Sequence, residues 1–390
     1  MAQMPEPASA NRCPACASGS SHLLDWEFSG LGDSVFNYIA DFSACPACGL
    51  VYVGNVSDAG LSRFYNEECS YFEKAHFAIT SPANRKKYSF YSRFLAEQGV
   101  ASVPMADVGC GRGGFVTWLA QDGWEQECYG VDVDVRSLPA DLETQKRVSF
   151  RNGSCLDLPF ANSTLGLLTY FHVLEHIRNL RGLLAESARV LDDNGYILIE
   201  VPDAEHYSGT PIGSAFWFSI REHINHFTAK SLAAALETQG FTVLTVSRQM
   251  LETPEFAYPS LMVLGQKRPA LPAQALPGFG DVAGFARLSR QALMRQAGQI
   301  GALAADRPLT MWGCSSELFS VLPLLHGRKI KLCDSSKLKQ RTHYKGMPIE
   351  DPAAVPVEGL LVVAPYLHRA EIKAAAERLG WSENAIYQLE

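Results

Sequence analysis

The stretch Met105-Ala-Asp107-Val108-Gly109-Cys110-Gly111-Arg112-Gly113-Gly114-Phe115 decides the fold. An apolar strand ends at Asp107-Val108, a glycine-rich turn follows, and a helix begins at Phe115. Glycines let the backbone turn sharply, and they let a ligand lie against it without a Cβ in the way. The spacing of Gly109, Gly111 and Gly114 also satisfies the G-x-G-x-x-G of dinucleotide enzymes, so this turn alone leaves the nucleotide open.

The segments after the turn alternate between strands and helices. A strand over 126–132 ends in Asp132, about 20 residues past the turn, where a carboxylate can accept both ribose hydroxyls. The next predicted elements are a strand-end loop at 153–160, a strand at 165–171, a helix at 180–191, a turn at 192–195 and a strand at 196–202. This alternation predicts an α/β fold with a doubly wound parallel sheet and a ligand at the carboxyl ends of its strands.

Two matching cysteine pairs stand near the start of the chain, and they favour a metal site. They are Cys13-Pro-Ala-Cys16 and Cys45-Pro-Ala-Cys48. Each pair places two thiolates on one tight turn, so that four can surround one tetrahedral Zn²⁺. Four protein ligands leave no open position, so the pattern predicts a structural zinc. A redox pair is the competing interpretation, but it predicts one such motif at a helix start.

Composition narrows the class of protein. The chain has 390 residues, of which 47% are hydrophobic and 19% charged, so it is globular and long enough for two or three domains. A net charge of −7 argues against a nucleic-acid binder that works through a broad basic surface. No apolar run reaches the roughly 20 residues of a membrane helix, and the start lacks a secretory pattern. We therefore expect a cytoplasmic enzyme.

Residues 85–265 resemble the class I S-adenosylmethionine-dependent methyltransferases. The resemblance rests on the D-V-G-C-G-R-G turn, the acid at the end of the next strand, C-L-D-L-P-F at 155–160 and V-L-E-H-I at 173–177. One departure is that the fourth strand begins Leu165-Gly166 where the family often has Phe-Asp. A Rossmann protein for another nucleotide is the alternative.

That resemblance implies S-adenosylmethionine as cofactor and assigns residues to its parts. The turn would hold the methionine, the second strand the ribose, the loop at 153–160 the adenine, and the tip of the fourth strand would lie beside the sulfonium. The residues so assigned are Asp107, Gly109, Cys110, Gly111, Asp132, Val133, Cys155, Leu156, Asp157, Phe171 and His172.

A polar cluster follows an aromatic run at 216–218. It reads Arg221-Glu222-His223-Ile224-Asn225-His226, and Thr228 is a plausible N-cap for a helix that begins at Ala229. If the acceptor is a carbon beside a carbonyl, a base must remove a proton, and histidine suits that role. Glu222 would fix the tautomer of His223 or act as the base itself. The alternative is that His223 and His226 are loop residues bonded to backbone.

Nearly the whole chain also resembles the sugar C-methyltransferases of antibiotic deoxysugar pathways, which carry an N-terminal zinc domain and a C-terminal α/β domain. This resemblance implies a keto-deoxysugar on a nucleoside diphosphate as substrate. It implies His223 as the base with Glu222, and His176 and Tyr71 near the substrate. Departures are Arg221, where an aromatic residue is expected, and the missing serine-rich tail around Tyr71.

The last third of the chain predicts a smaller Rossmann-like domain. A linker rich in proline and glycine at 267–280 leads to a long helix, and the elements after it are strands at 309–312, 329–334, 360–364 and 385–389 and a helix at 369–379. The Gly313-Cys-Ser-Ser turn would offer amides to a phosphate, or the domain only braces the site. The predicted domains are 1–70 for zinc, 71–266 for the methyltransferase fold, and 267–390 for the linker and C-terminal α/β domain.

Two other functions stay open at this point. One is an O- or N-methyltransferase on another sugar or small metabolite, in which the histidines orient or deprotonate a hydroxyl. The other is a non-catalytic module that binds the cofactor and recruits a partner through its zinc domain. The substrate is expected to be a small molecule, and the oligomeric state is not indicated by the sequence.

Overall fold

The structure is a computed structural model that describes residues 12–65, 81–134, 147–210, 213, 215–252, 256–268 and 280–390. Within these ranges the strands form three sheets. The strands are β1 (Ser21–Glu27), β2 (Ile39–Ala44), β3 (Val51–Val53), β4 (Met105–Val108), β5 (Cys128–Asp132), β6 (Val148–Asn152), β7 (Leu165–Phe171), β8 (Leu191–Pro202), β9 (Asn225–His226), β10 (Phe241–Glu252), β11 (Ala257–Lys267), β12 (Leu309–Trp312), β13 (Ile330–Cys333), β14 (His343–Tyr344), β15 (Met347–Glu350), β16 (Leu360–Val363) and β17 (Ile386–Gln388).

Helices connect these strands. They are α1 (Asp58–Arg63), α2 (Pro82–Glu97), α3 (Gly114–Gln121), α4 (Leu180–Val190), α5 (Phe216–Ser219), α6 (Ala229–Glu237), α7 (Val282–Ala304), α8 (Ser316–Val321) and α9 (Arg369–Arg378). Short 3-10 turns add to them, of which Leu174–His176 matters for the site. No helix in the described ranges is both long and apolar enough to cross a bilayer.

The central sheet has the order β10-β11-β8-β7-β4-β5-β6, and β11 alone runs against the others. Every residue of β4 is buried, as expected for a strand covered on both faces. Met105 packs with residues of α2 and α3, whereas Ala106 and Val108 pack with residues of α4 and α6. Helices therefore cover both faces, which confirms the predicted α/β architecture with a doubly wound sheet.

One local expectation was wrong. The sequence predicts a turn at 192–195 before the strand, but β8 already begins at Leu191. Leu191 pairs with Leu165, and the register then shifts so that Tyr196 pairs with Leu167. Asn194 takes a left-handed conformation at φ 67° within this irregular stretch. The turn-forming residues thus bend a strand instead of interrupting it.

The N-terminal sheet, of order β1-β2-β3-β9, extends across the predicted boundary at residue 70. Its last strand comes from the loop after α5, and it pairs antiparallel with β3 through Val51↔His226 and Tyr52↔Asn225. The Val53 amide also donates to the Ile224 carbonyl at 2.9 Å. The cysteine-bearing segment is therefore joined by main-chain hydrogen bonds to the predicted histidine loop.

The C-terminal sheet has the order β14-β15-β13-β12-β16-β17 and is parallel except for the β14–β15 hairpin. The predicted strands and helices of this segment all appear, and only the hairpin was not predicted. Its turn contains Lys345 and Gly346, both at positive φ. Side chains tie this segment to the rest: the Ser29 hydroxyl donates to the Phe319 carbonyl at 2.8 Å, and the Arg221 guanidinium lies 5.6 Å from the centre of the Phe319 ring.

The N-cap of α6 gives a test of this arrangement. The Thr228 hydroxyl accepts from the Ser231 amide at 3.0 Å and donates to the Cys48 carbonyl at 2.8 Å, and both bonds are buried. We expect Thr228→Val to lower the free energy of unfolding in urea by about 2 kcal/mol, since it removes a cap and a second hydrogen bond. Ser57→Ala, which removes the exposed N-cap bond of α1, is the control and should cost about 1 kcal/mol or less. Equal losses in the two variants would contradict the tie to Cys48.

Candidate active site

The glycine-rich turn and the end of β5 form one side of a cleft. Gly109, Gly111 and Gly113 all have positive φ, so the turn relies on their freedom from a Cβ. The Asp132 carboxylate accepts the Gly111 amide at 2.8 Å and the Asp134 amide at 2.9 Å through different oxygens. Burial raises the pKa of Asp132, while these two amides oppose the shift. Each oxygen keeps a lone pair for a further donor.

Asp107 lies at the base of the same cleft, 4% exposed, where its carboxylate accepts the Thr169 hydroxyl at 2.7 Å. Burial raises the pKa of Asp107 to about 7, against the Thr169 hydrogen bond and the charge of Lys87, which favour the carboxylate. A positively charged ligand group at this point would therefore bind best to the ionised form.

A single cavity of about 1170 Å³ contains the cleft and continues beyond it. It is lined by most of the residues that the resemblance assigns to the cofactor, namely Asp107, Gly109, Cys110, Gly111, Asp132, Val133, Cys155, Leu156, Phe171 and His172. Asp157 is exposed and lies outside this lining, and its amide donates to the Ser154 carbonyl at 3.0 Å. Asp157 was predicted to border the adenine, but it is not among the residues that line the cavity.

The far side of the cavity brings together residues from all three segments. His176, Glu222 and His223 line it, as do Asp58 and Tyr65 from the N-terminal segment. The C-terminal segment contributes Ser315, Ser316, Glu317, Lys339, Pro365, Leu367 and His368. The volume exceeds the roughly 300–1,000 Å³ of ordinary small-molecule pockets, so it has room for two ligands side by side.

His176 and His223 meet edge to face, with ring centroids 4.8 Å apart. The His176 Nδ1 lies 3.0 Å from the Glu222 carbonyl oxygen, which it can reach only as a donor. The His223 Nδ1 has no hydrogen-bond partner among the described residues. Burial above all, and then the proximity of other histidine rings, holds the pKa of His223 well below its ordinary value. His223 is therefore neutral near pH 7.

A buried network that sequence reasoning missed supports the tip of β7. His172, in a left-handed conformation at φ 58°, contacts Glu175 at 3.1 Å, Glu200 at 3.2 Å and the Tyr258 hydroxyl at 2.6 Å. Tyr258 and Tyr91 each donate to Glu200 at 3.1 Å. Burial opposes ionisation of Glu175, but the hydrogen bond with His172 holds its pKa below the ordinary value. The network fixes His172 at the cavity wall.

The sequence provides a reason to single out some of these network residues but not others. Both glutamates stand in segments already recognised, V-L-E-H-I and the strand Tyr196–Pro202, where an acid inside an apolar run is a sign of a buried partner. Tyr91 lies on α2, which the sequence reading did not single out. Lys87, on the same helix, also lines the cavity, and burial lowers its pKa against the charges of Glu200 and Asp107.

Two of the predicted catalytic residues need separate comment, His226 and Tyr71. His226 is fully buried in β9, outside the lining, and packs between Phe42 and Phe218, with Nδ1 3.3 Å from the Tyr207 hydroxyl. Burial lowers its pKa to about 3. This is a core histidine, and we assign it no catalytic role. Tyr71 lies outside the described residues.

The four predicted zinc ligands converge. The sulfur atoms of Cys13 and Cys48 are 3.6 Å apart, those of Cys16 and Cys45 are 3.5 Å apart, and all four lie within 4.8 Å of one another. A tetrahedral ion with 2.3 Å bonds needs sulfurs about 3.8 Å apart, so the cluster has the right size. The backbone supports it, because the Ala17 amide donates to the Cys13 carbonyl and the Gly49 amide to the Cys45 carbonyl in matching turns.

Comparison with known proteins agrees with this geometry. A family model described as a methyltransferase domain matches residues 83–246. A Mycolicibacterium smegmatis protein named "Probable S-adenosylmethionine-dependent methyltransferase" is 26% identical over 140 residues, which is 35% of this chain and 51% of that protein. The "Uncharacterized methyltransferase YcgJ" of Bacillus subtilis is 33% identical over 107 residues, 26% of this chain and 40% of that protein. The chain thus spans about half or less of the length of these curated relatives.

Among solved structures, that of the YcgJ protein from Bacillus subtilis covers 46% of this chain and 99% of its own, with 16% identity and a TM-score of 0.38. The family match covers the whole cleft from α2 to β10. Residues 83–246 of this chain are thus similar to methyltransferase domains, and one of the relatives matched is named as S-adenosylmethionine-dependent.

Proposed function

We propose that this protein transfers a methyl group from S-adenosylmethionine to a carbon beside the keto group of a nucleotide-linked deoxysugar. His223 is the base, and Glu222 assists it. The observation that carries the proposal is the single cavity, whose lining includes both the glycine-rich turn and His223. A candidate proton acceptor and the cofactor cleft thus share one cavity.

The cleft fits the cofactor. A Cβ at Gly109 would lie 2.5 Å from Val173 Cγ2, so the turn can pack this closely against Val173 only because residue 109 has no side chain. Asp132 would hold the ribose hydroxyls on its free lone pairs, and Asp107 and the turn would hold the methionine end. When bound, S-adenosylmethionine supplies a methyl group on a positively charged sulfur, which is an activated leaving group.

The chain's own task is to remove a proton and to align the acceptor. His223 takes the proton from the carbon beside the keto group, and the electron pair left on that carbon forms the new bond to the methyl carbon. The methyl–sulfur bond breaks, and its electrons stay on sulfur, which becomes neutral. Such positioning and proton transfer together can account for several powers of ten in rate.

A large anionic acceptor suits the far side of the cavity. Lys339 and Arg178 bring positive charge to the wall, where each is held by a carboxylate: Asp334 at 3.1 Å from Lys339 and Asp58 at 2.9 Å from Arg178. The serine-rich start of α8 adds hydroxyl groups there. These groups favour a substrate with a diphosphate, as a nucleotide-linked sugar has.

We also propose that the four-cysteine cluster binds a structural Zn²⁺. Four thiolates would fill a tetrahedral shell and leave no position for a substrate. A hydrogen bond with Cys48 lowers the pKa of Cys13 to about 6, against the effect of burial, so at least one thiolate is available at neutral pH. The ion would fix the two knuckles and, through Cys48, the start of β3.

Transfer to nitrogen or oxygen is a second candidate. Matched relatives include the Ajmaline N-methyltransferase of Rauvolfia serpentina, 29% identical over 101 residues, which is 24% of this chain and 34% of that protein. For such an acceptor His223 would deprotonate a hydroxyl or orient an amine. Deuterium exchange at the carbon beside the keto group is expected only for transfer to carbon, so it distinguishes the two candidates.

Cofactor binding can be measured first by calorimetry. We expect S-adenosylmethionine to bind the wild type and Asp132→Asn to weaken binding by about 10- to 100-fold, because charge-assisted hydrogen bonds to the ribose are lost. Asp157→Asn is the matched control, since Asp157 lies outside the cavity, and it should leave the affinity unchanged. A wild type that does not bind, or equal losses in the two variants, would refute the assigned cleft.

Proton removal is tested by wash-out of deuterium from the carbon beside the keto group of a nucleoside diphosphate-linked keto-deoxysugar. We expect His223→Ala to slow wash-out at least about 100-fold, the usual size of general base catalysis. His206→Gln, in an exposed histidine outside the cavity lining, is the control and should exchange at the wild-type rate.

The pH dependence of deuterium wash-out is a further test of the role of His223. Because the pKa of His223 is held well below its ordinary value, the neutral base persists on mild acidification, so wash-out should stay level from pH 8 to pH 6. An ordinary histidine would lose most of its neutral form over this range. Wash-out that is absent from a wild type that binds the cofactor would instead support the second candidate.

A further inference from the structure

Glu175, His176 and His223 form a second cluster of metal-binding groups, separate from the cysteines. One donor atom of each lies within 4.8 Å of the others. We propose that this triad binds a divalent transition-metal ion, and that the ion competes with proton transfer at His223. The second part of this inference rests on the proposed function, whereas the first part does not.

The carboxylate of the triad has an unused oxygen. Glu175 is 1% exposed, and its Oε2 has no hydrogen-bond partner among the described residues. Its other oxygen lies 3.1 Å from His172 Nδ1. A buried carboxylate oxygen without a partner is destabilising, and a cation would supply the missing partner.

Both histidines of the triad have a ring nitrogen that can bind a metal ion. His176 donates its Nδ1–H to the Glu222 carbonyl, so its lone pair is on Nε2, which lies 3.9 Å from Glu175 Oε1. Metal-bound histidines are typically held by such an outer hydrogen bond to a carbonyl. His223 adds a buried Nδ1 without a partner among the described residues. Both rings line the cavity, which leaves an open coordination position.

The donor set selects the class of ion. Two imidazoles and one carboxylate suit Zn²⁺, Co²⁺ or Fe²⁺ better than Mg²⁺ or Ca²⁺, which prefer oxygen ligands. Donor atoms at 2.1 Å from a tetrahedral ion lie about 3.4 Å apart. The donor atoms of the triad lie within 4.8 Å of one another, so small side-chain rotations would bring them to this separation. The charges that face the triad include His172 and the second buried carboxylate, Glu200, which is 3.2 Å from His172.

Binding of an ion has a consequence for the reaction. Coordination occupies a lone pair of His223, and a coordinated imidazole is a poor acceptor for the substrate proton. Free Zn²⁺ should therefore slow deuterium wash-out, and a chelator weak enough to spare the cysteine cluster should restore it. The triad would act as an inhibitory site with a chemistry unlike that of the four thiolates.

The test uses the full-length protein carrying one equivalent of zinc, titrated with Co²⁺ and followed by visible absorption and calorimetry. We expect a second equivalent to bind with weak d–d bands and without the intense thiolate charge-transfer band. His176→Ala and Glu175→Gln should each weaken this binding about 10- to 100-fold or more. His206→Ala should leave it unchanged. Should Glu175→Gln fail to fold by circular dichroism, His223→Asn replaces it.

The outcomes are separable from those for the proposed function. A wild type that binds only one equivalent, or a second equivalent retained in His176→Ala and in the folded second variant, overturns the metal site, whatever the result for cofactor binding. A second ion that binds but does not slow wash-out overturns the competition. An absence of wash-out in the wild type that carries one equivalent of zinc and no second ion instead counts against the proposed function and leaves the metal titration intact.

Discussion

The short ladder between β3 and β9 is the contact on which the acceptor side of the cavity depends. It holds Asn225 and His226 against the strand that follows the second cysteine pair. On the other side the Ile224 amide donates to the Glu175 carbonyl at 2.8 Å, which ties the same loop to the 3-10 turn that carries His176. Glu222 and His223 are thus fixed between two anchors. A cysteine cluster far from the chemistry thereby positions the proposed base.

This arrangement also explains the buried polar groups nearby. His226 fills the space between aromatic rings behind the ladder, and Thr228 caps α6 while donating to the Cys48 carbonyl. Asn225 donates from its side chain to the Leu174 carbonyl at 3.0 Å and to the Ile177 carbonyl at 2.8 Å. Each of these groups joins segments that are distant in sequence, so their polarity serves position and not reaction.

Local pattern was enough to predict which residues of the glycine-rich turn and of the neighbouring strand ends line one cleft. The turn at 109–114, Asp132 and the tip of β7 follow from a strand, a bend and an acid at a fixed spacing, and the structure places them in one cleft. The roles of His226 and Asp157 did not follow from such patterns, because burial and the direction of a side chain depend on partners far along the chain. The pairing of Val51 with His226 joins residues that no local periodicity relates. Tyr91 and Tyr258 were missed for the same reason, since they reach Glu200 from distant parts of the chain.

We propose that the four-cysteine cluster, with zinc bound, holds the loop that carries His223. Hydrogen–deuterium exchange of the backbone amides, compared between the zinc-loaded wild type and Cys48→Ser, tests it most directly. The account predicts faster exchange at 220–228 and 51–53, with unchanged protection in β4, β5 and β7, which belong to the central sheet. Unchanged protection at 220–228 after loss of the ion would contradict it.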